Sequence, residues 1–335
     1  MGKKLCLVLL TVWLLGLASD VDAVMWSGAV SRAWSDDGNW QGIGGEPDPP
    51  TDPCGSDAIS VVIFDQPTNP LPNLPLITEP NEHTAGRFWL NASLEMTSGE
   101  LTCWSRFCIG YERRGPGEFT MRGGVVNILD YFPDGVDPGP GRLSVADEST
   151  GTLNMYDGQI NVSLPDGIGG IKFPDGSGQG TINLFGGVIH TSRVEWKSDK
   201  DCQLIFQSSE GYPYGGKFIV NGDVTYPDPN HAVTSDSIYQ AYVEGLIITA
   251  IPGDVVSIKY DPVEDVTIVE SVPTPPGDIN GDGVVDWVDL AILVEQWASR
   301  CQNGEWCGGC DLNKSGRVDF YDFAIFASDW FESWP

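Results

Sequence analysis

Two twelve-residue segments near the end of the chain carry oxygen donors at the spacing of a calcium loop. Residues 278–289 read DINGDGVVDWVD, and residues 311–322 read DLNKSGRVDFYD. Ca²⁺ prefers about six to eight oxygen ligands, which EF-hand loops supply from positions 1, 3, 5, 9 and 12 and from the carbonyl of position 7. A glycine at position 6, Gly283 or Gly316, permits the sharp turn. Each segment therefore predicts one Ca²⁺ site, two ions in all.

The predicted ligands follow one pattern in both loops. They are Asp278, Asn280, Asp282, the carbonyl of Val284, Asp286 and Asp289 in the first loop, and Asp311, Asn313, Ser315, the carbonyl of Arg317, Asp319 and Asp322 in the second. The carboxylate at position 9 can act through a water molecule. The first loop has one more carboxylate than the second, which predicts tighter binding there. The alternative is a pair of Asx-rich turns without metal.

An apolar stripe after each loop predicts one helix in each half. Leu290, Leu293 and Trp297 correspond to Phe323, Phe326 and Trp330 at a fixed offset of 33 residues. The spacing i, i+3, i+7 places each trio on one helix face. An ordinary EF-hand also has a helix before the loop, but the prolines of residues 273–276 exclude one before the first loop.

A duplicated loop and helix with Asp at position 12, behind a Pro-rich segment, resembles a type I dockerin. The resemblance covers residues 278–330 and implies a cohesin-like partner in a cellulosome-like, extracellular polysaccharide-degrading assembly. Positions 10 and 11 help to choose the cohesin in that family, and here they are Trp287, Val288, Phe320 and Tyr321. These residues depart from the small hydroxyl pair of the best-known dockerins, and packing between the halves is the alternative role for the aromatic ones.

The long middle of the chain repeats one phrase of strand, glycine turn and strand. The repeats are ASLEMTSGEL, GEFTMRGGVV, GTLNMYDGQI and GTINLFGGVI, and their first apolar positions, Leu94, Phe119, Leu153 and Ile182, are separated by 25, 34 and 29 residues. These periods predict coils of a right-handed parallel β-helix, each stacking on the next. The body thereby resembles secreted, pectate-lyase-like β-solenoid proteins. A jelly roll or a sandwich is the alternative.

Four segments follow along the chain. We predict a signal peptide at 1–23, from Lys3, Lys4 and the apolar run 5–17, a β-solenoid domain at 24–270, a Pro-rich linker at 271–277, and an all-α, dockerin-like calcium module at 278–335. Trp26, Trp34 and Trp40 open the body as a predicted cap against edge pairing. The predicted location is extracellular or at the cell surface.

The net charge limits the classes of binding partner, and the cysteines indicate possible disulfides. A net charge of −29 in 335 residues argues against nucleic acid and against anionic membranes. In an oxidising compartment Cys103 and Cys108 are close enough in sequence to pair, as are Cys301, Cys307 and Cys310. The last three also have the spacing of half a zinc site, which is a second interpretation.

Catalysis on the body has candidates but no specific motif. Carboxylates of a glycosidase or lyase could come from Asp130, Asp134, Asp137, Asp166 or Asp175, with Lys172 or Arg193 as a base, although solvated loop residues are the expected alternative. Trp89, Trp104 and Trp196 could stack on sugars or pack in the core. We favour a non-catalytic body that binds glycan or serves as a scaffold, and keep a polysaccharide lyase or glycoside hydrolase as the alternative.

Overall fold

The computed structural model describes residues 23–42, 60–64, 70–78, 82–130, 140–164, 169–174, 176–196, 202–211, 215–225, 238–251, 253–281, 284–301 and 306–330. The predicted signal peptide, apart from Ala23, lies outside these residues, as do Asp134, Asp137, Asp166, Asp175 and Asp282. The chain forms two compact units, one of residues 1–183 with 187–202 and the other of 184–186 with 203–335. This division falls within the predicted solenoid domain. No helix of the described residues is long and apolar enough to span a membrane.

The protein is mainly β, with a small helical region at the C-terminal end. The strands before residue 200 are β1 (Ala23–Trp26), β2 (Trp40–Gly42), β3 (Ser60–Phe64), β4 (Leu76–Ile77), β5 (Glu82–Asn91), β6 (Ser93–Met96), β7 (Glu100–Ile109), β8 (Gly117–Ile128), β9 (Arg142–Val145), β10 (Gly151–Val162), β11 (Gly170–Phe173), β12 (Gly180–Leu184), β13 (Val188–Thr191) and β14 (Val194–Trp196). A 3-10 turn spans Asp37–Asn39. The later elements are β15 (Cys202–Phe206), β16 (Lys217–Asn221), α1 (Ile238–Val243), β17 (Ile247–Thr249), β18 (Asp254–Asp261), β19 (Val266–Pro273), α2 (Trp287–Glu295) and α3 (Phe320–Ser328).

The strands of the first unit stack into three parallel ladders. Ladder one joins β1, β3, the second halves of β5 and β7, β9, β11 and β14. Ladder two joins β4, β6, the first halves of β8 and β10, and β12. Ladder three joins the first halves of β5 and β7, the second halves of β8 and β10, and β13. Between residues 76 and 196 the chain visits ladders two, three and one in that order, coil after coil.

The register of these ladders confirms the alignment of the repeats. Leu94 pairs with Phe119 and Phe119 with Leu153, and Ile160 pairs with Ile189, so successive coils are offset by the expected 25, 34 and 29 residues. Side chains alternate between the inside and outside of the coil, since successive residues of a strand point to opposite faces. The inward column Leu94, Phe119, Leu153 and Ile182 is fully buried.

A glycine turn separates the two halves of each repeat because the coils approach one another closely there. Gly124, Gly158 and Gly187 have φ of +86°, +93° and +73°. A Cβ on Gly158 would lie 2.5 Å from the carbonyl oxygen of Gly124, and one on Gly187 would lie 2.7 Å from that of Gly158. Both the left-handed backbone and the contact favour glycine.

Three tryptophans continue the aromatic core at the first coils. The rings of Trp26 and Trp40 meet edge to face at 5.0 Å, and Trp34 stacks on Phe88 at 5.9 Å between centroids. Phe88 in turn contacts Phe107 at 4.6 Å. All three tryptophans are buried. Strand β1 pairs with β3 in parallel and with β2 in the opposite direction.

The strands of the second unit include an antiparallel sheet instead of another parallel coil. Strand β19 pairs with β16 on one side and with β18 on the other, both antiparallel, while β15 and β17 pair in parallel. Val272 and Pro273, which fall within the predicted linker, instead pair with Val255 and Asp254 at the end of β19. Proline is tolerated here because it is the last residue of the strand and its missing N–H interrupts no continuing ladder. The extended linker is thus shorter than predicted.

The cysteines of the first unit do not form the disulfide that their spacing allowed. Cys103 and Cys108 both lie on β7 and are both buried thiols. Cys103 lies within the coil, and its thiol donates to the carbonyl of Arg106 at 2.9 Å. Cys108 lies in a separate cluster with Val62 and Trp89. The pairing of Cys103 with Cys108 is therefore wrong.

Candidate calcium-binding module

Each helix of the C-terminal region begins at the tenth residue of a predicted loop, directly after a capping residue at the ninth position. Asp286 caps α2 by accepting a hydrogen bond from the Val288 N–H at 2.7 Å, and Asp289 accepts one from the Asp286 N–H at 3.0 Å. Such a reciprocal capping box satisfies two backbone donors that a helix start leaves unpaired. The residues predicted at positions 9 and 12 therefore hold the start of the helix.

The second loop repeats this geometry residue by residue. Asp319 caps α3 by accepting from the Tyr321 N–H at 2.9 Å, and Asp322 accepts from the Asp319 N–H at 2.8 Å. Asp322 also accepts from the Asn313 N–H at 3.1 Å with its other oxygen. Both helices thus start in the same way, as the 33-residue offset predicts.

The carboxylates at position 12 tie the two ends of each loop together, and those at position 1 bond to the middle of the loop. Asp289 accepts hydrogen bonds from the N–H groups of Ile279 and Asn280, at 2.8 and 3.0 Å. Asp278 accepts from the Gly281 N–H at 2.8 Å. Asp311 accepts from the N–H groups of Ser315 and Gly316, at 2.9 and 2.7 Å. The backbone therefore wraps around inward-pointing carboxylates.

These carboxylates are withdrawn from solvent. Asp278, Asp289, Asp311 and Asp322 are 8, 0, 2 and 0 % exposed. Burying a carboxylate is costly unless it is hydrogen-bonded and its charge is compensated. Within the described residues, Asp289, Asp311 and Asp322 form no ion pair with Lys or Arg. Their environment fits a divalent cation.

The remaining predicted ligands are mostly neutral oxygen donors. Asn313 accepts a hydrogen bond from the Ser315 N–H at 2.9 Å, and the Ser315 hydroxyl donates to the Arg317 carbonyl at 3.2 Å. In the described part of the chain, no group of three or more His, Cys, Asp or Glu side chains is arranged to hold a metal ion. The predicted donor set relies also on Asn, Ser and carbonyl oxygens, and on Asp282, which lies outside that part.

The two halves pack around one small core. Val285 and Leu293 of the first half and Val318 and Phe326 of the second are buried together with Cys310. Each residue of the first pair is related to one of the second by the 33-residue offset. Leu290 and Trp330 are partly buried against this core, whereas Trp297 and Phe323 are 38 and 39 % exposed. The predicted helix stripe is therefore only partly buried.

The insert between the halves is joined to the second loop. Cys301 and Cys307 form a disulfide, which excludes a zinc site made of these thiolates. The Cys301 N–H donates to the Gly316 carbonyl at 2.9 Å, and the Trp306 carbonyl accepts from the Asp311 N–H at 3.1 Å. Cys301 and the neighbour of Cys307, Trp306, are thus hydrogen-bonded to the two ends of segment 311–316 in the second loop.

The residues at positions 10 and 11 combine packing and exposure. Trp287 and Phe320 each contact a tryptophan, yet they are 67 and 76 % exposed. Val288 and Tyr321 are 52 and 76 % exposed. Trp287 and Phe320 therefore take part in packing between the halves, and most of the surface of each ring stays exposed.

Three of the body residues considered for catalysis, Asp130, Lys172 and Arg193, lie in the described part of the chain, and each is held by neighbours. Asp130 accepts hydrogen bonds from the Gly141 N–H at 2.6 Å and the Gly169 N–H at 3.2 Å, and it contacts the Ser163 hydroxyl. It therefore links successive turns of the coil. Lys172 and Arg193 both pair with Glu195, with N–O distances of 3.0 and 2.5 Å.

The tryptophans considered for sugar stacking have different surroundings. Trp89 is 6 % exposed and stacks on Tyr111 at 4.1 Å between ring centroids. Burial, followed by a hydrogen bond with Glu112, raises the pKa of Tyr111 well above its ordinary value, so its hydroxyl stays protonated. Trp196 meets Phe173 edge to face at 5.6 Å, and Trp104 is half-buried on β7. Trp89 and Trp196 serve packing.

The duplicated loop and helix define a class of paired calcium-loop modules. Residues 276–328 match the family described as Dockerin type I domain. This segment is a type I dockerin domain, and such domains bind Ca²⁺ in general. Neither the search of curated proteins nor the search of solved structures found a match. No match supports the predicted resemblance of the body to pectate-lyase-like proteins.

Proposed function

We propose that the protein is exported and that its dockerin domain attaches it, in a Ca²⁺-dependent way, to a cohesin-like domain of an extracellular polysaccharide-processing assembly. The body is a non-catalytic, right-handed parallel β-helix that binds glycan or serves as a scaffold. The observation that carries the docking proposal is that positions 10 and 11 are exposed in both loops, as Trp287 and Val288 in the first and as Phe320 and Tyr321 in the second.

Two calcium ions are expected because both loops hold buried carboxylates in equivalent places. Asp278 and Asp289 would ligate the first ion from positions 1 and 12, and Asp311 and Asp322 the second. The backbone donors that these carboxylates already accept leave lone pairs for a metal, since an ionised carboxylate offers about four. Calcium then fixes the helix starts that carry the docking residues.

The docking surface is apolar at its centre. Exposed aromatic side chains in a protein contact are typical anchors of binding energy. Trp287, Val288, Phe320 and Tyr321 therefore call for a partner with an apolar face, in place of the hydroxyl-binding face that suits the best-known dockerins.

Several contacts favour a non-catalytic body. Lys172 and Arg193 share Glu195, and Asp130 is engaged by two backbone N–H groups. With these two backbone partners, Asp130 acts as a structural bridge between coils. The three parallel ladders and their constant order favour the β-helix, and the buried tryptophans favour a cap at residues 24–50.

The docking proposal is tested by capture of the full chain on immobilised type I cohesin domains, with Ca²⁺ or with EDTA. We expect capture in Ca²⁺, loss of capture in EDTA, and loss in the variants Asp278→Ala and Asp311→Ala. Capture that persists in EDTA would contradict it, and so would calcium binding without capture by any cohesin of a broad panel. Release of products from a polysaccharide would overturn the non-catalytic body and favour the lyase or hydrolase alternative.

A further inference from the structure

The outer face of ladder three carries a groove that the docking role does not use. A cavity of about 290 Å³ opens there and is lined by Asn127, Ile128, Leu129, Gln159, Asn161, Leu164 and His190. These residues come from three successive coils, on β8, β10 and β13 and the turns that follow the first two. The cavity is near the lower end of the size range of small-molecule sites, enough for a short segment of a chain ligand.

The polar residues of the groove form one column across the coils. Asn127 pairs with Asn161, and Asn161 pairs with His190 in the parallel register. Neighbouring strands are about 4.8 Å apart, so the column presents a polar group at regular intervals along the coil axis. Their side chains point outward because the adjacent residues, Ile128 and Ile160, are fully buried inside.

Hydrogen bonds between the amides hold them in fixed orientations. The Asn161 side chain donates to Asn127 at 2.8 Å, and the Gln159 side chain donates to Asn161 at 2.7 Å. Asn127 itself donates to Glu100 at 2.6 Å. A side-chain amide has two N–H donors and two acceptor lone pairs, so each amide retains capacity for a ligand. The groups are therefore pre-organised and not saturated.

Apolar side chains flank this polar column. Leu129 and Leu164 line the groove and are half-buried. Trp104 follows Cys103, which pairs with Ile128, so Trp104 lies in register beside Leu129 on the neighbouring coil. A groove with amides in its middle and apolar groups at its side matches a sugar ring, which has hydroxyl groups at its edge and C–H groups on its faces.

The charge of the groove distinguishes neutral from acidic glycans. Among the described residues, the lining of the groove includes no Asp, Glu, Lys or Arg, although the chain as a whole carries a net charge of −29. An acidic polysaccharide would be repelled by the net negative charge of the protein and would find no Lys or Arg among the described lining residues. A neutral polysaccharide has no such penalty.

We propose that this groove binds a neutral polysaccharide, with Asn127, Gln159, Asn161 and His190 bonding its hydroxyl groups. The inference rests on the proposed glycan-binding role of the body and names the site and the ligand class. Binding along the coil axis lets a chain ligand contact several coils at once, which suits a polymer better than a free sugar.

The test is retention of the full chain in native gels that contain xyloglucan, arabinoxylan, galactomannan or polygalacturonate, run in EDTA so that docking is absent. The expected result is retardation by at least one of the three neutral polymers and none by polygalacturonate. Asn161→Ala should weaken that retention roughly tenfold, as expected for the loss of one or two hydrogen bonds to the ligand.

Asn183→Ala is the matched control. Its side chain donates to Asn154 at 2.8 Å in an equivalent amide pair on the outer face of ladder two, outside the groove. We expect that it leaves retention unchanged, and thermal unfolding of both variants checks that the coil is intact.

Equal effects of Asn161→Ala and Asn183→Ala would overturn the groove as the site while leaving glycan binding by the body in place. The absence of retention by all four polymers, polygalacturonate included, would overturn glycan binding itself and leave the scaffold role. Retention by polygalacturonate alone would overturn the assigned ligand class.

Discussion

Trp287 and Trp330 meet edge to face with their ring centroids 4.9 Å apart, and the 33-residue offset reproduces this contact with the halves exchanged. Phe320, the equivalent of Trp287, meets Trp297, the equivalent of Trp330, at 5.1 Å. Each half thus supplies one loop aromatic and one tryptophan from a helix end. The module therefore presents two similar aromatic contacts that are related by an internal pseudo-two-fold.

This relationship limits the rotamers that Trp287 and Phe320 can adopt on the surface. Less conformational entropy is therefore lost when a partner covers such a ring. Edge-to-face pairs of this kind contribute about 0.5–1.5 kcal/mol beyond the area they bury. The contact between the halves and the contact with a partner are thus compatible.

Replacement of Trp287 by alanine should weaken cohesin binding far more than it weakens the module. We expect a loss of at least about 2 kcal/mol in binding free energy, as for a buried aromatic anchor. The free energy of unfolding should fall by only about 1 kcal/mol, since the ring is largely exposed in the free protein. Binding is measured by calorimetry and stability by thermal unfolding in Ca²⁺.

Val294→Ala is the control for that measurement. Val294 is 58 % exposed on α2 but lies outside positions 10 and 11 of the loop. We expect unchanged cohesin affinity for this variant. A similar loss for both variants would mean that the docking surface does not centre on Trp287.

Replacement of Asp289 by asparagine separates its two roles. The amide keeps one oxygen that can accept from Ile279 and Asn280, but its NH₂ group cannot accept from the Asp286 N–H, and the charge that a calcium ion requires is lost. We expect a drop of roughly a hundredfold or more in calcium affinity at the first loop, with α2 retained in Ca²⁺-free solution. Calorimetric titration with Ca²⁺ and circular dichroism measure the two effects.

Asp329→Asn provides a comparison outside the predicted ligands. Asp329 accepts a hydrogen bond from the Gly277 N–H at 2.9 Å. Its substitution should leave both calcium affinities unchanged. If Asp289→Asn also leaves them unchanged, Asp289 is a cap only and the ligand assignment at position 12 is wrong.

The parts of the structure that repeat could be predicted from the sequence. The alignment of Leu94 with Phe119 and Leu153 followed from alternating apolar residues around a glycine turn, because each coil can bury its apolar face only on the next. In the module, the apolar stripe after each loop predicted one helix in each half, although α2 and α3 begin within the loops, at Trp287 and Phe320.

The features that the sequence predicted wrongly or missed depend on how distant residues are placed in three dimensions, which leaves no local sequence pattern. Cys103 and Cys108 are near in sequence, but β7 places one inside the coil and the other in a separate cluster with Trp89. The amide column of Asn127 and Asn161 was missed because its members are 34 residues apart and each looks like an ordinary polar strand residue. The pair of asparagines at the same place in consecutive repeats was the available signal.

Loss of the Cys301–Cys307 disulfide should destabilise the module and weaken calcium binding at the second loop in particular. A bridge that closes a short loop contributes about 2 kcal/mol in the chain-entropy view. The effect should concentrate on the second loop because Cys301 and Trp306 bond Gly316 and Asp311 through their backbones. Calcium titration of the double variant Cys301→Ser/Cys307→Ser measures it.

Addition of a reducing agent is the control that separates loss of the disulfide from other effects of the two serine substitutions. Reductant should lower calcium affinity in the native chain to the level of the double variant and should not change the double variant further. Equal weakening at both loops would show that the insert supports the whole module and not its second loop.

Replacement of Gly158 by alanine should destabilise the coil more than the same change at a glycine with free space. Gly158 has φ of +93°, and a Cβ there would lie 2.5 Å from the carbonyl oxygen of Gly124 on the preceding coil. Gly211 has a similar φ of +89°, but no atom lies within 4 Å of its added Cβ. The left-handed backbone costs each alanine about 1–2 kcal/mol. Only Gly158→Ala must also push two coils apart, so we expect its free energy of unfolding to fall by at least about 1 kcal/mol more than that of Gly211→Ala. Chemical denaturation of the two variants measures the difference, and equal losses would mean that the coils do not approach as closely as the register requires.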